Sequence, residues 1–247
     1  MSEEELAAHI NTSDDNHPPT EEDWILSAPP TNAALQIRLN VVHGKIHRLT
    51  SATGNIDFNV DIASFANAHI EPPLVHHVIE AARYVAQEFT RLRVGITFAY
   101  EPSSRREVFC IRCDPSLPFP TLAQAFFPSQ HRGPRGWQLR ISPFALHPCH
   151  FQENPRHMVG TLAHEFMHIL GFRHYNAGSV EDGTQLRSVL WPNTIDGNPD
   201  SIMVTTAHNH LWFSAEDKMV LRELYSRRNG DLVRGREIRD VDAHNGR

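Results

Sequence analysis

Eleven consecutive residues constrain this chain more than any other feature. His164-Glu165-Phe166-Met167-His168-Ile169-Leu170-Gly171-Phe172-Arg173-His174 reads H-E-x-x-H-x-x-G-x-x-H. On an α-helix, positions i and i+4 lie on one face, so His164 and His168 can aim ring nitrogens at a single tetrahedral metal ion. Glu165 is the next residue round the helix, able to serve a water molecule as general base without ligating the metal. Gly171 can take positive φ at no Cβ cost and end the helix in a sharp turn that brings His174 back as a third ligand. The fourth position stays open for water, as catalytic rather than structural zinc sites require. The expectation is one catalytic Zn2+ held by His164, His168 and His174, with Glu165 as base. A helix with fortuitous surface histidines is the competing reading in a chain with 17 histidines among 247 residues; five specified positions make that coincidence of order 0.0001 to 0.001. The preceding run agrees with a helix: Asn154 can cap it, Pro155 suits its first turn, and Met158, Val159, Leu162, Phe166, Ile169 and Leu170 form an apolar stripe.

Downstream, Ser201-Ile202-Met203-Val204 follows the turn-forming Asp196-Gly197-Asn198-Pro199-Asp200, and Ser214-Ala215-Glu216-Asp217 reads as a capping box. That box opens a helix carrying Met219, Val220, Leu224 and Tyr225. With the long histidine motif, these segments resemble the metzincin clan of zinc metallopeptidases, whose motif is followed by a Met-turn and a closing helix. The resemblance spans roughly residues 52 to 228. It implies that Met203 forms a hydrophobic floor under the three histidines.

The rest of that span suits one α+β domain of zincin type, a twisted mixed five-stranded sheet with long helices. Asn55 to Phe65, alternating through Ile56, Phe58, Val60 and Ile62, is expected to be the first strand. Leu74 to Arg91, entered through Pro72-Pro73, carries Leu74, Val75, Val78, Ile79, Ala82, Val85, Ala86 and Phe89 at helical spacing. Further strands are expected at Val94 to Tyr100, Val108 to Arg112 and Gln138 to Ser142. Leu122 to Pro128 looks like the substrate-facing edge strand of matrixins. The resemblance implies that Ala123, Gln124, Ala125 and Phe126 bind an extended peptide by strand addition; an ordinary core strand fits the composition equally well.

Departures from the family limit what carries over. Matrixins hold a second, structural zinc with a histidine of the edge strand, whereas Gln124 stands here and Trp137-Gln138-Leu139-Arg140-Ile141 has no histidine; no such zinc is expected. Astacins place a glutamate after the third histidine and a zinc-coordinating tyrosine two residues beyond the Met-turn methionine, and here those positions are Tyr175 and Thr205. The chain therefore resembles divergent metzincins, like the matrixin-related proteins of fungi. Residues Thr205 to Phe213 are expected to wall the pocket beyond the scissile bond.

Cys110 and Cys113, with Cys149 beyond, leave buried or free thiols, a disulfide or metal ligation open. Within a strand the first two side chains would face opposite sides, which favours thiols. Arg112-Cys113-Asp114-Pro115 faintly resembles the matrixin cysteine switch but follows a strand rather than preceding the domain. Before Ile25 stand eight acidic residues and no Lys or Arg, more than the whole net charge of −6, so the acidity belongs to a leader. The expected organisation is a disordered leader over 1–34, a catalytic domain over 35–228 and a charged tail over 229–247. Met1-Ser2-Glu3-Glu4-Glu5 has neither a basic region nor an apolar core, and no run could span a membrane, which favours an intracellular location; the resemblance implies secretion. No basic stripe with interleaved aromatics suggests nucleic acid. Two functions remain open, a zinc endopeptidase acting on peptide or protein substrates and a catalytically silent zinc-binding scaffold or protein-binding module. Glu165 favours the first, since metal binding alone does not require it.

Overall fold

Strand structure begins before Asn55. The computed structural model describes residues 37–102, 107–129, 136–148, 150, 156–174, 187–192, 200–204 and 212–244. Arg38–Val42 (β1) and Lys45–Thr50 (β2) form an antiparallel hairpin in which Val42 pairs with Lys45. Its turn residues, His43 (φ 49°) and Gly44 (φ 77°), have the positive φ that matches the twist of tightly turned strands. The strand expected to be first is therefore the third.

That third strand is also shorter than its alternation suggests. Asn55–Val60 (β3) ends where Asp61 caps a short helix, Ile62–Asn67 (α1), by accepting a hydrogen bond from the Ser64 N–H. Ile62, which continues the alternation on paper, is exposed on this helix. The long helix Pro72–Leu92 (α2) follows, with proline in its first turn and Arg93 closing it in the left-handed region. Val75, Val78, Ala82, Val85, Ala86 and Phe89 are buried along its stripe.

Because β3 and the next strand, Thr97–Tyr100 (β4), run parallel, they need a crossover, and α1 and α2 supply it. Phe109–Cys113 (β5), Ala123–Gln124 (β6) and Trp137–Ile141 (β7) complete a mixed five-stranded sheet in the order β4-β3-β5-β7-β6. Within this sheet only β6 is antiparallel to its neighbour, and it lies on the edge.

The helix His157–Ile169 (α3) is buried nearly all round, as a central helix must be when other elements cover every face. Phe166 anchors it in an aromatic core. Its ring lies 4.7 Å from Phe98, 5.6 Å from Phe58 and 5.7 Å from Phe109, centroid to centroid. Phe89 of α2 packs against Phe98 at 5.1 Å, so α2, α3 and the sheet share one cluster.

A second sheet joins the two ends of the described chain. After α3 come Phe172–Arg173 (β8) and Arg187–Leu190 (β9), which pair with β1. Ala215–Ser226 (α4) begins at the expected capping box, Ser214 with Asp217, and buries Val220, Leu221 and Leu224, whereas Met219 is partly exposed. Leu232–Val233 (β10) and Arg236–Asp242 (β11) then form a hairpin, and β11 pairs parallel with β2 from Glu237↔Lys45 to Asp242↔Thr50. This corrects the tail expected over 229–247: residues up to His244 are folded, with Val233, Ile238 and Ala243 buried, and the domain does not end at 228. Charged residues alternating with these few apolar ones conceal the strand in the sequence. Among the described residues the protein is thus α+β, with two mixed sheets and four helices, none long and apolar enough to cross a membrane. The leader reading over 1–34 lies outside the described residues.

Candidate metal centre

Helix α3 presents His164 and His168 one turn apart, and the turn at Gly171 returns the chain so that His174 joins them. The Nε2 atoms of His164 and His174 are 2.8 Å apart, those of His168 and His164 3.0 Å, and those of His168 and His174 3.1 Å. His168 and His174 are buried and His164 is half-buried.

The remaining ring nitrogens determine what this triangle can do. His164 Nδ1 lies 2.7 Å from the Ile202 carbonyl oxygen, and His168 Nδ1 lies 2.8 Å from that of Phe172. A carbonyl only accepts, so each Nδ1 carries the hydrogen and each Nε2 of the neutral ring points a lone pair at the centre. Converging lone pairs repel unless a cation sits among them. Imidazoles oriented by a carbonyl on the far nitrogen are the ordinary outer shell of a metal site. His164, His168 and His174 could therefore hold a metal ion, and their donor set suits one. Glu165, next to His164 on the helix, is 4% exposed.

The turn carrying Met203 reaches this centre through its backbone. Ser201 Oγ donates to Asp217 Oδ1 at 2.6 Å, and the N–H groups of Ile202 and Ser214 donate to Asp217 Oδ2, each at 2.9 Å. Asp217 thus caps α4 and pins the turn whose Ile202 carbonyl orients His164. Burial pushes its carboxyl above the usual range, against the opposing pull of the hydrogen bonds from Ser201, Ile202 and Ser214. Met203 is fully buried. The capping box was legible in the sequence; the second duty of Asp217 was not, because it requires residues far apart in the chain to meet.

Gly171 has φ +100°, as expected of a helix-ending turn, and it also meets β2. A Cβ there would lie 2.5 Å from the His47 carbonyl oxygen. The Asn40 N–H donates to the Gly171 carbonyl at 2.8 Å, and Leu39 and Arg38 pair with Phe172 and Arg173, so the path from the second histidine to the third is part of the second sheet.

Of the expected peptide-binding residues, Ala123 and Gln124 form edge strand β6, which contacts α3. Ala123 and Phe126 turn their side chains into the core, Phe126 stacking on Trp137 at 4.8 Å, while Gln124 and Ala125 are half-buried. Phe127, expected within the edge strand but not among its peptide-binding residues, packs its ring edge-on to His168 at 5.2 Å with the buried Arg173 guanidinium 5.4 Å from its centre. Cys110 and Cys113 are free thiols, half-buried and buried respectively. Asn154, Pro155, Cys149, Tyr175 and residues 205–211 of the wall expected from Thr205 to Phe213 lie outside the described residues. In comparisons with protein-family models and with curated proteins, no family model and no curated protein matches this chain.

Proposed function

We propose that this chain is a zinc-dependent endopeptidase of metzincin type. The observation that carries the reading is the convergence of three imidazole Nε2 atoms within 2.8–3.1 Å, two of them, from the helix that bears Glu165, with Nδ1 committed to carbonyls. When bound, zinc supplies a Lewis acid that polarises a peptide carbonyl and brings the acidity of water to about pH 7. His164, His168 and His174 would hold it. Glu165 accepts the proton of the attacking water and returns it to the leaving amine. The edge of β6 offers main-chain donors and acceptors to an extended peptide; with Ala123 and Phe126 turned inward, that contact is made by backbone.

Metal analysis of protein purified without chelator is expected to give one zinc per chain, and Glu165→Gln to keep that zinc while peptide cleavage falls by about 100-fold or more. His168→Ala weakens metal binding as well, since it removes a ligand. A Glu165→Gln variant cleaving as fast as wild type overturns the role of Glu165. Normal zinc binding with no cleavage across a broad peptide library overturns the peptidase in favour of a zinc-binding module.

A further inference from the structure

Arg48 lies outside the triangle of histidines, yet its surroundings bear on it. Its side chain is 5% exposed and satisfied on several sides. Nε donates to Asp240 Oδ1 of β11 at 2.6 Å, Nη2 to the Arg227 carbonyl at 2.8 Å, and Nη1 to the Leu224 carbonyl at the end of α4. The guanidinium also sits 5.4 Å from the ring centre of Tyr225, whose hydroxyl donates to the Leu49 carbonyl at 2.9 Å. A buried cation with this many partners ties β2 to both C-terminal elements, and loss of one such partner is felt by all of them.

The backbone of the same residue faces the metal-centre turn. A Cβ on Gly171 would meet the His47 oxygen at 2.5 Å, the His47 carbonyl carbon at 3.6 Å and the Arg48 Cα at 3.8 Å. The His47–Arg48 peptide is therefore the wall against which Gly171 turns, three residues before His174. β11, in parallel register with β2 through His47↔Arg239 and Arg48↔Asp240, stands against this wall from the side.

We propose that Arg48 is a positioning residue for the metal centre: by clamping β11 and α4 onto β2 it holds the His47–Arg48 peptide against Gly171 and sets the path that delivers His174. The inference rests on the metal-site reading for its consequence, but its mechanical part stands without metal. The C-terminal strand is then a component of the site rather than an appendage. Linkage makes the coupling reciprocal: whatever loosens β11 weakens the metal, and the bound metal tightens β11 by the same factor.

The test uses the full chain with Arg48→Met, which keeps length and apolar burial, Arg48→Lys, which retains the charge, and Asp240→Asn as a milder lesion should Arg48→Met not fold. In metal-free protein, hydrogen exchange of the 170–174 segment is expected to quicken together with that of 236–242. With Zn2+, affinity is expected to fall by about 10–100-fold in Arg48→Met, the scale of lost outer-shell support, and by less in Arg48→Lys and Asp240→Asn. With Co2+ as probe, the visible absorption of the three-histidine site should change in band position, which loss of global stability alone would not cause. Frayed 236–242 beside unchanged protection of 170–174 overturns the positioning role whether or not the protein binds zinc. Zinc affinity within twofold of wild type in a folded Arg48→Met chain overturns it too. Absence of zinc binding in wild type, with 170–174 still loosened by the substitutions, supports the clamp and overturns the metal reading instead.

Discussion

Gly171→Ala separates two demands that meet at one residue. The first is conformational: φ is +100°, and a side chain in the left-handed region costs about 1–2 kcal/mol. The second is steric. The added Cβ would stand 2.5 Å from the His47 carbonyl oxygen, a backbone atom of a strand paired with β11, so relief requires moving a ladder rather than rotating a side chain. Forcing one carbon into such a contact adds about 1–3 kcal/mol, for a total of about 2–5 kcal/mol. In a domain of this size that lowers Tm by about 4–20 °C. Gly95 provides the control, because it has φ +81° and no atom within 4 Å of the place a Cβ would take, so Gly95→Ala should show the conformational part alone. Denaturant titration of both variants in metal-free buffer gives the two values, and zinc titration then shows whether the displaced turn also weakens the site. Equal destabilisation of the two variants would refute the close approach of β2.

Asp217→Asn leaves one acceptor oxygen where the carboxylate has two serving Ser201, Ile202 and Ser214, and is expected to cost about 1–3 kcal/mol by urea denaturation; unchanged stability would mean that Asp217 does not hold the turn beside His164. Burial pushes the Cys110 and Cys113 thiols up from 9.0 to about 11, so native alkylation by iodoacetamide at pH 8 should run about 100-fold slower than in the unfolded chain, as read by peptide mass mapping. Both thiols ionise more readily when unfolded, so stability should fall as pH rises from 9.0 towards 11, and flat denaturation midpoints across that window would refute the shift.

The difference between what was legible in the sequence and what was not follows the range of the interactions. His164, His168 and Gly171 announce themselves because a helix brings side chains together by local spacing alone, and α2 and α4 are marked by Pro72-Pro73 and by the Ser214–Asp217 box. Alternation misleads at Ile62 because its period carries across Asp61, and only the cap shows that the strand has ended. β8 has two residues and no pattern at all; it is a strand only because β1 lies beside it. β11 alternates weakly among charged residues and takes its place from β2, 192 residues away in the chain.

The consequence for the candidate metal centre is that its three histidines and its scaffold are encoded differently. The histidines occupy one short motif, whereas the atoms that orient them come from elsewhere: the Ile202 carbonyl, fixed through Asp217 of α4, and the Gly171 turn, braced by β1 and β2. Gly171 shows why a motif under-reports its own requirements. Its positive φ is a property of the turn and can be anticipated, but the absence of room for a Cβ is a property of the His47 carbonyl, and nothing in the eleven residues refers to it. A helix bearing the same motif without such a brace would retain His164 and His168 at helical spacing while leaving His174 on a turn free to wander, so the second sheet is what joins the third histidine to the other two.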